Sequence, residues 1–124
     1  MDKTVLVDKF INDGRILIGA LEKENFVIDT AMWFYSEETD EWKLVIATPL
    51  VDEIGPRETY RRIQAILEEL PSLSITLTDI TALRPSNSMI KALKSNIGHS
   101  REISLKGTVF DGILINNAYI YCVA

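Results

Sequence analysis

Thr30 to Ile63 reads TAMWFYSEETDEWKLVIATPLVDEIGPRETYRRI, and the order of its parts decides the fold. Val27 to Tyr35 is rich in β-branched and aromatic residues, the composition of a strand. Ser36 to Glu41 then supplies a polar turn with four acids, and Trp42 to Thr48 returns as a second strand. Gly55-Pro56 opens a helix, because glycine is accepted at the N-cap and proline is favoured at the first helical position. Tyr60, Ile63, Leu67 and Leu70 follow at helical spacing on one stripe, which Pro71 stops. A hairpin leading directly into a helix points to an α+β domain.

Both strands of this hairpin are apolar on both sides. Val27, Ala31, Trp33 and Tyr35 alternate with Ile28, Met32 and Phe34, and Trp42, Leu44 and Ile46 alternate with Val45 and Ala47. The register decides which sets share a face, and the sequence leaves that open.

Outward from the hairpin, residues 3–23 place Leu6, Phe10, Leu17 and Leu21 near one stripe, which predicts an amphipathic helix with Asp2 as its N-cap. Gly14 and Gly19 weaken that helix by up to ~1 kcal/mol each relative to alanine. Ser74 to Asp79 alternates strictly and predicts a half-buried strand. Arg84-Pro85-Ser86 introduces a third helix, with Ile90, Leu93 and Ile97 inward, Lys91 and Lys94 outward, and Gly98 as a left-handed cap. Glu102 to Lys106 alternates again and Asp111-Gly112 signals a turn. Ile113 to Ile115 is extended, Asn116-Asn117 breaks or bulges it, and Ala118 to Val123 forms an apolar last strand. The expectation is a single α+β domain over 1–124 in the order α-β-β-α-β-α-β-β. Its mainly antiparallel sheet has about five strands, with three helices packed mostly on one face.

The 124 residues, 47% apolar and 25% charged, are an ordinary globular mix for one domain. MDKTVLVDKF carries acids among its apolar residues and does not read as a secretory signal. The run Ile16 to Leu21 is far short of the ~20 residues of a membrane span. Cys122, the one cysteine, excludes an internal disulfide. These features predict a cytoplasmic protein. The net charge of −5 is uneven: residues 1–83 hold 8 Lys/Arg against 16 Asp/Glu, whereas 84–124 hold 5 against 2. An acidic whole argues against non-specific nucleic-acid binding, and the late basic residues read as a solvated face.

No pattern of catalytic or metal-ligating residues stands out. His99, the one histidine, has no second imidazole or thiol nearby in sequence for a zinc site, and reads as a surface loop residue before it reads as a general base. Asp52 and Glu53 precede the helix start and Arg57, Arg61 and Arg62 follow it. Helix-start amides and arginine forks could take an anion there, but Pro56 removes one amide and the two acids repel the ligand. An internal salt-bridge network pinning the loop is the favoured reading. The turn at Glu37 to Glu41 lacks the glycine-centred spacing of a calcium loop. No catalytic residue, metal or cofactor is therefore expected. Trp33, Tyr35 and Trp42 are the partner-binding candidates, because tryptophan and tyrosine dominate binding hot spots.

The stretch TAMWFYSEETDEWKLVIATPLVDEIGPRETYRRI, with DGILINNAYIYCV near the end, resembles a group of small uncharacterised bacterial proteins. The resemblance implies a bacterial, cytoplasmic setting and carries no activity or site residue to this chain. A two-layer domain would leave one apolar face of the hairpin bare, and monomers rarely expose such a patch. The functional expectation is a non-catalytic accessory or protein–protein interaction module, either a homodimer or a subunit of a larger complex. The alternatives are an acidic inhibitor or immunity-type protein using the Glu37–Glu41 turn, a small anion or nucleotide binder using Arg57, Arg61 and Arg62, and, least favoured, a small hydrolase or nuclease using Asp52, Glu53 or His99.

Overall fold

The computed structural model describes residues 6–124, so the expected Asp2 cap lies outside the described residues. The elements follow in the expected order: α1 (Asp8–Lys23), β1 (Thr30–Ser36), β2 (Glu41–Ala47), α2 (Leu50–Glu68), β3 (Ile80–Leu83), α3 (Ser88–Ile97), β4 (Arg101–Phe110) and β5 (Ile113–Val123). The strands form one sheet in the order β3-β2-β1-β5-β4. The β2–β3 pair is parallel and the other pairs are antiparallel, so the sheet is mixed. The parallel pair arises because α2 carries the chain back across the sheet between β2 and β3, a crossover that antiparallel hairpins do not need.

The hairpin register places Trp33 opposite Leu44, Tyr35 opposite Trp42 and Ala31 opposite Ile46. Directly opposed residues share a face, so the odd positions of β1 join the even positions of β2. That face packs on Leu17 and Leu21 of α1 and on Ile63 and Leu67 of α2. Met32, Val45 and Ala47 form the other face with Ile115, Ala118 and Ile120, beneath Ile90 and Leu93 of α3. The chain is thus three layers deep. The second apolar face, which a single layer of helices would leave bare, is covered by α3. Each large apolar side chain fully buried in this way is worth about 1.5–3 kcal/mol.

Three local expectations are corrected. Ser74 to Asp79 is not a strand. Thr76 and Asp79 form a reciprocal capping box that tightens Leu77–Asp79 into a 3-10 turn, and the strand is Ile80–Leu83. Short polar side chains bonding their own backbone compete with the ladder in this way. Gly98 is not left-handed (φ −54, ψ 149), and His99 takes the positive φ of 65 instead. A Cβ at Gly98 would meet the Lys94 carbonyl oxygen at 2.6 Å, so this glycine serves close approach. Lys94 does not simply face outward, because its Nζ lies 2.8 Å from Asp29 Oδ2 and ties α3 to the chain just before β1. The Gly55-Pro56 expectation fits: Gly55 (φ 83, ψ 161) interrupts α2, and one helical turn over residues 50–54 precedes the part that Pro56 starts.

Asp111 (φ 51) and Gly112 (φ 79) both have positive φ, as a two-residue type I′ turn requires, and they connect the paired residues Phe110 and Ile113. Leu105 and Ala118 lie on the α3 side, and so do Phe110 and Ile115. Near the outer turn the alternation therefore slips in both strands, at Gly107 (φ 58) and at Asn116-Asn117. The slip turns the outer hairpin toward α3, where Asn96 Nδ2 reaches Asp111 Oδ2 at 3.4 Å.

Candidate interaction surface

The two edges of the sheet differ. β3 is four residues long, and the backbone N–H of Ala82 donates outward to the Tyr60 hydroxyl at 2.8 Å, so a side chain of α2 occupies that edge. β4 is ten residues long and ends the sheet on the other side. Among the described residues, no other element makes a backbone hydrogen bond to its outer side. Unpaired edges are templates for another strand, and proteins commonly guard them with charges and bulges. β4 carries Arg101, Glu102 and Lys106, with positive φ at Glu102 (53) and at Gly107. Near its tip Val109 and Leu114 oppose one another, 60% and 54% exposed.

α1 supports the start of this edge. Arg15 Nη2 lies 3.3 Å from Glu102 Oε2 and 3.3 Å from the Tyr119 hydroxyl, which donates to the same carboxylate. The Tyr119 hydrogen bond and the Arg15 guanidinium hold the Glu102 carboxyl below the usual glutamate range, and the shared bond pushes the Tyr119 hydroxyl up. Behind them the Tyr121 hydroxyl donates to the Ile11 carbonyl at 2.6 Å and accepts from Trp33 Nε1 at 3.0 Å. Burial pushes the Tyr121 hydroxyl up, so it remains a neutral part of the core.

A polar groove of about 530 Å³ opens beside the first residues of β4, lined by Arg15, Glu22, Asp29, His99, Arg101 and Cys122 among others. Two of its charges are engaged: Arg15 by Glu102, and Asp29 by Lys94. Burial and the nearby Glu22 carboxylate push the Cys122 thiol up, which keeps it protonated and a poor nucleophile. The groove offers charge of both signs for contact, rather than an activated nucleophile and its base.

The sequence-derived candidates are dispersed. Trp33 is 2% exposed and Tyr35 6%, both on the α1–α2 face, and Trp42 is half-buried with its ring centroid 5.5 Å from that of Tyr35. Trp33 is thus a core residue. Arg61 and Arg62 both turn to Glu58, at 2.9 and 3.8 Å, while Asp52 pairs with Arg84 at 2.6 Å. The expected network of Asp52 and Glu53 with the three arginines is therefore replaced by two separate pairings. Arg57 and Glu53 are exposed, as is His99, which the groove brings within reach of Arg101 but not of the Arg57–Arg62 segment. The acidic turn is partly tied down: Asp40 accepts from the Tyr35 hydroxyl, and Glu37 from Asn116 Nδ2 at 2.8 Å.

The β4 edge was missed as a candidate because edge position is a property of strand order, to which sequence spacing gives no access. The one available signal was the pair of opposite charges, Glu102 and Lys106, flanking Ile103 and Leu105. Among the described residues, no three His, Cys, Asp or Glu side chains are grouped to hold a metal ion, and no helix is long and apolar enough to cross a membrane. In comparisons with protein-family models, curated proteins and solved structures, the chain matches none.

Proposed function

We infer that this protein is a non-catalytic interaction module that holds a partner chain by strand addition along β4. The observation that carries the reading is the asymmetry of the sheet: β3 is short and covered by Tyr60, whereas β4 is long and, among the described residues, open on its outer side. Strand addition draws affinity from main-chain hydrogen bonds and specificity from alternate side chains. The contact itself moves from Trp33 to the edge and to the apolar pair Val109 and Leu114. A homodimer, or a subunit of a larger complex, would use the same surface.

Tagged protein, mixed with untagged copies of itself and with native-host extract, tests this reading. The expected result is a stoichiometric partner whose binding slows amide hydrogen exchange over residues 101–106. A chain that remains monomeric, retains no stoichiometric partner and shows unchanged exchange in β4 sinks it.

A further inference from the structure

We propose that the strand added to β4 comes from a second copy of the same chain, paired antiparallel about a two-fold axis through Ser104. The proposal rests on the strand-addition reading above and specifies its partner. A two-fold axis perpendicular to the sheet keeps each face continuous across the junction, so every residue must meet one from its own face. The faces of β4 are fixed by its pairing with β5. Ile103 and Leu105 belong to the α3 side, while Ser104 opposes Tyr119 and Lys106 opposes Asn117 on the α1 side.

With the axis at Ser104, Ile103 meets Leu105 of the second copy on the α3 side, and Glu102 meets Lys106 on the other. By symmetry each of these contacts occurs twice. Moving the axis to residue 102 sets Glu102 against Glu102, and moving it to residue 106 sets Lys106 against Lys106. Axes at 103 or 105 leave both charges without an opposite partner. The charges that guard this edge against indiscriminate pairing therefore select one register for self-pairing. Lys106 makes no ion pair among the described residues, and Glu102 is held in position by Arg15 and Tyr119 with its side chain half exposed. One partner is pre-oriented and the other is available. The positive φ of Glu102 and of Gly107 bounds the regular residues 103–106, so the pairing is short, with Lys106 inside it and Glu102 at its margin.

Disulfide trapping tests the register. In a Cys122→Ser background, Ser104→Cys puts two thiols across the axis. Directly opposed antiparallel residues have Cα atoms about 4.5–5.5 Å apart, inside the disulfide range. Lys106→Cys, offset from the axis, is the control. The expected outcome is a covalent dimer from Ser104→Cys under mild oxidation and little from Lys106→Cys. Light scattering of Lys106→Glu, which creates two like-charge contacts, should show association weakened about tenfold at low salt. Equal trapping of both thiols, or an unchanged association constant in Lys106→Glu, overturns the register. A monomer that still takes a different chain along β4, seen by slowed exchange over 101–106, overturns self-pairing and leaves strand addition standing. A monomer with no partner on β4 overturns both.

Discussion

The indole N–H of Trp33 donates to the hydroxyl oxygen of Tyr121 at 3.0 Å, directly beneath Gly14 of α1. A Cβ at Gly14 would lie 2.3 Å from that hydroxyl oxygen and 2.9 Å from Trp33 Nε1. Helix propensity favours alanine over glycine by up to about 1 kcal/mol. The overlap outweighs it, since overpacking a filled core typically costs about 1–3 kcal/mol. Gly14→Ala should therefore destabilise the protein in urea unfolding. Because the nearest atom is the hydroxyl, the penalty should shrink when Gly14→Ala is placed on Tyr121→Phe. An equal penalty in both backgrounds would show that the contact with this hydroxyl is not the cause.

Trp33→Ala should act on stability first. The side chain is buried between α1 and the sheet, and its N–H also donates to the Phe10 carbonyl at 3.1 Å. Truncating a core tryptophan costs about 3–5 kcal/mol. Chemical denaturation should show a loss of that size, whereas a stable variant with weakened association would return Trp33 to the contact surface.

Much of the fold was legible in the residues. The aromatic hairpin, the Gly55-Pro56 helix start and the Asp111-Gly112 turn depend on local backbone chemistry, which spacing reports well. β3 was not, because Thr76 and Asp79 bond their own backbone and Ile80–Leu83 is too short to show a period. The role of Gly14 was also hidden: its cost to the helix was visible, but its reason lies in Tyr121, over a hundred residues away. The candidate site was least legible. Trp33 and Tyr35 have the composition of binding anchors, and only the placement of α1 and α2 makes them core. The open edge at β4 exists only once β5 is seated beside β1.

Glu102 predicts a pH dependence. Its carboxyl is held below the usual glutamate range by the Tyr119 hydroxyl and by Arg15. A depressed folded-state pKa gives stability that is fully present above the unfolded-state value, about 4.3, and lost as pH falls through the folded value. The side chain is half exposed, so solvent screening keeps the effect small. The stability advantage of wild type over Glu102→Gln should be present at neutral pH and fade on acidification. An advantage that grows toward low pH would contradict this assignment.

The pair Asp29–Lys94 should couple α3 to the sheet. Lys94 Nζ lies 2.8 Å from Asp29 Oδ2, and the Asp29 side chain is only 13% exposed. Asp29 also accepts from the Thr30 hydroxyl at 3.1 Å, so the two partners are not equivalent. Removing Asp29 leaves a half-buried ammonium and a hydroxyl without their acceptor. Removing Lys94 leaves a carboxylate that still holds one donor. Unsatisfied buried polar groups cost about 1–3 kcal/mol, so Asp29→Ala should be the more damaging change. Replacing Lys94 by methionine keeps the apolar stem over α3's neighbours while deleting the charge. The double variant Asp29→Ala/Lys94→Met should lose less stability than the sum of the single losses, by at least about 0.5 kcal/mol for residues in direct contact. Urea unfolding of the four proteins gives this coupling directly, and because the site is shielded it should persist in about 0.5 M salt, where the Debye length is about 4 Å. Additive losses would mean that the apolar cluster alone, and not this ion pair, fixes α3 to the sheet.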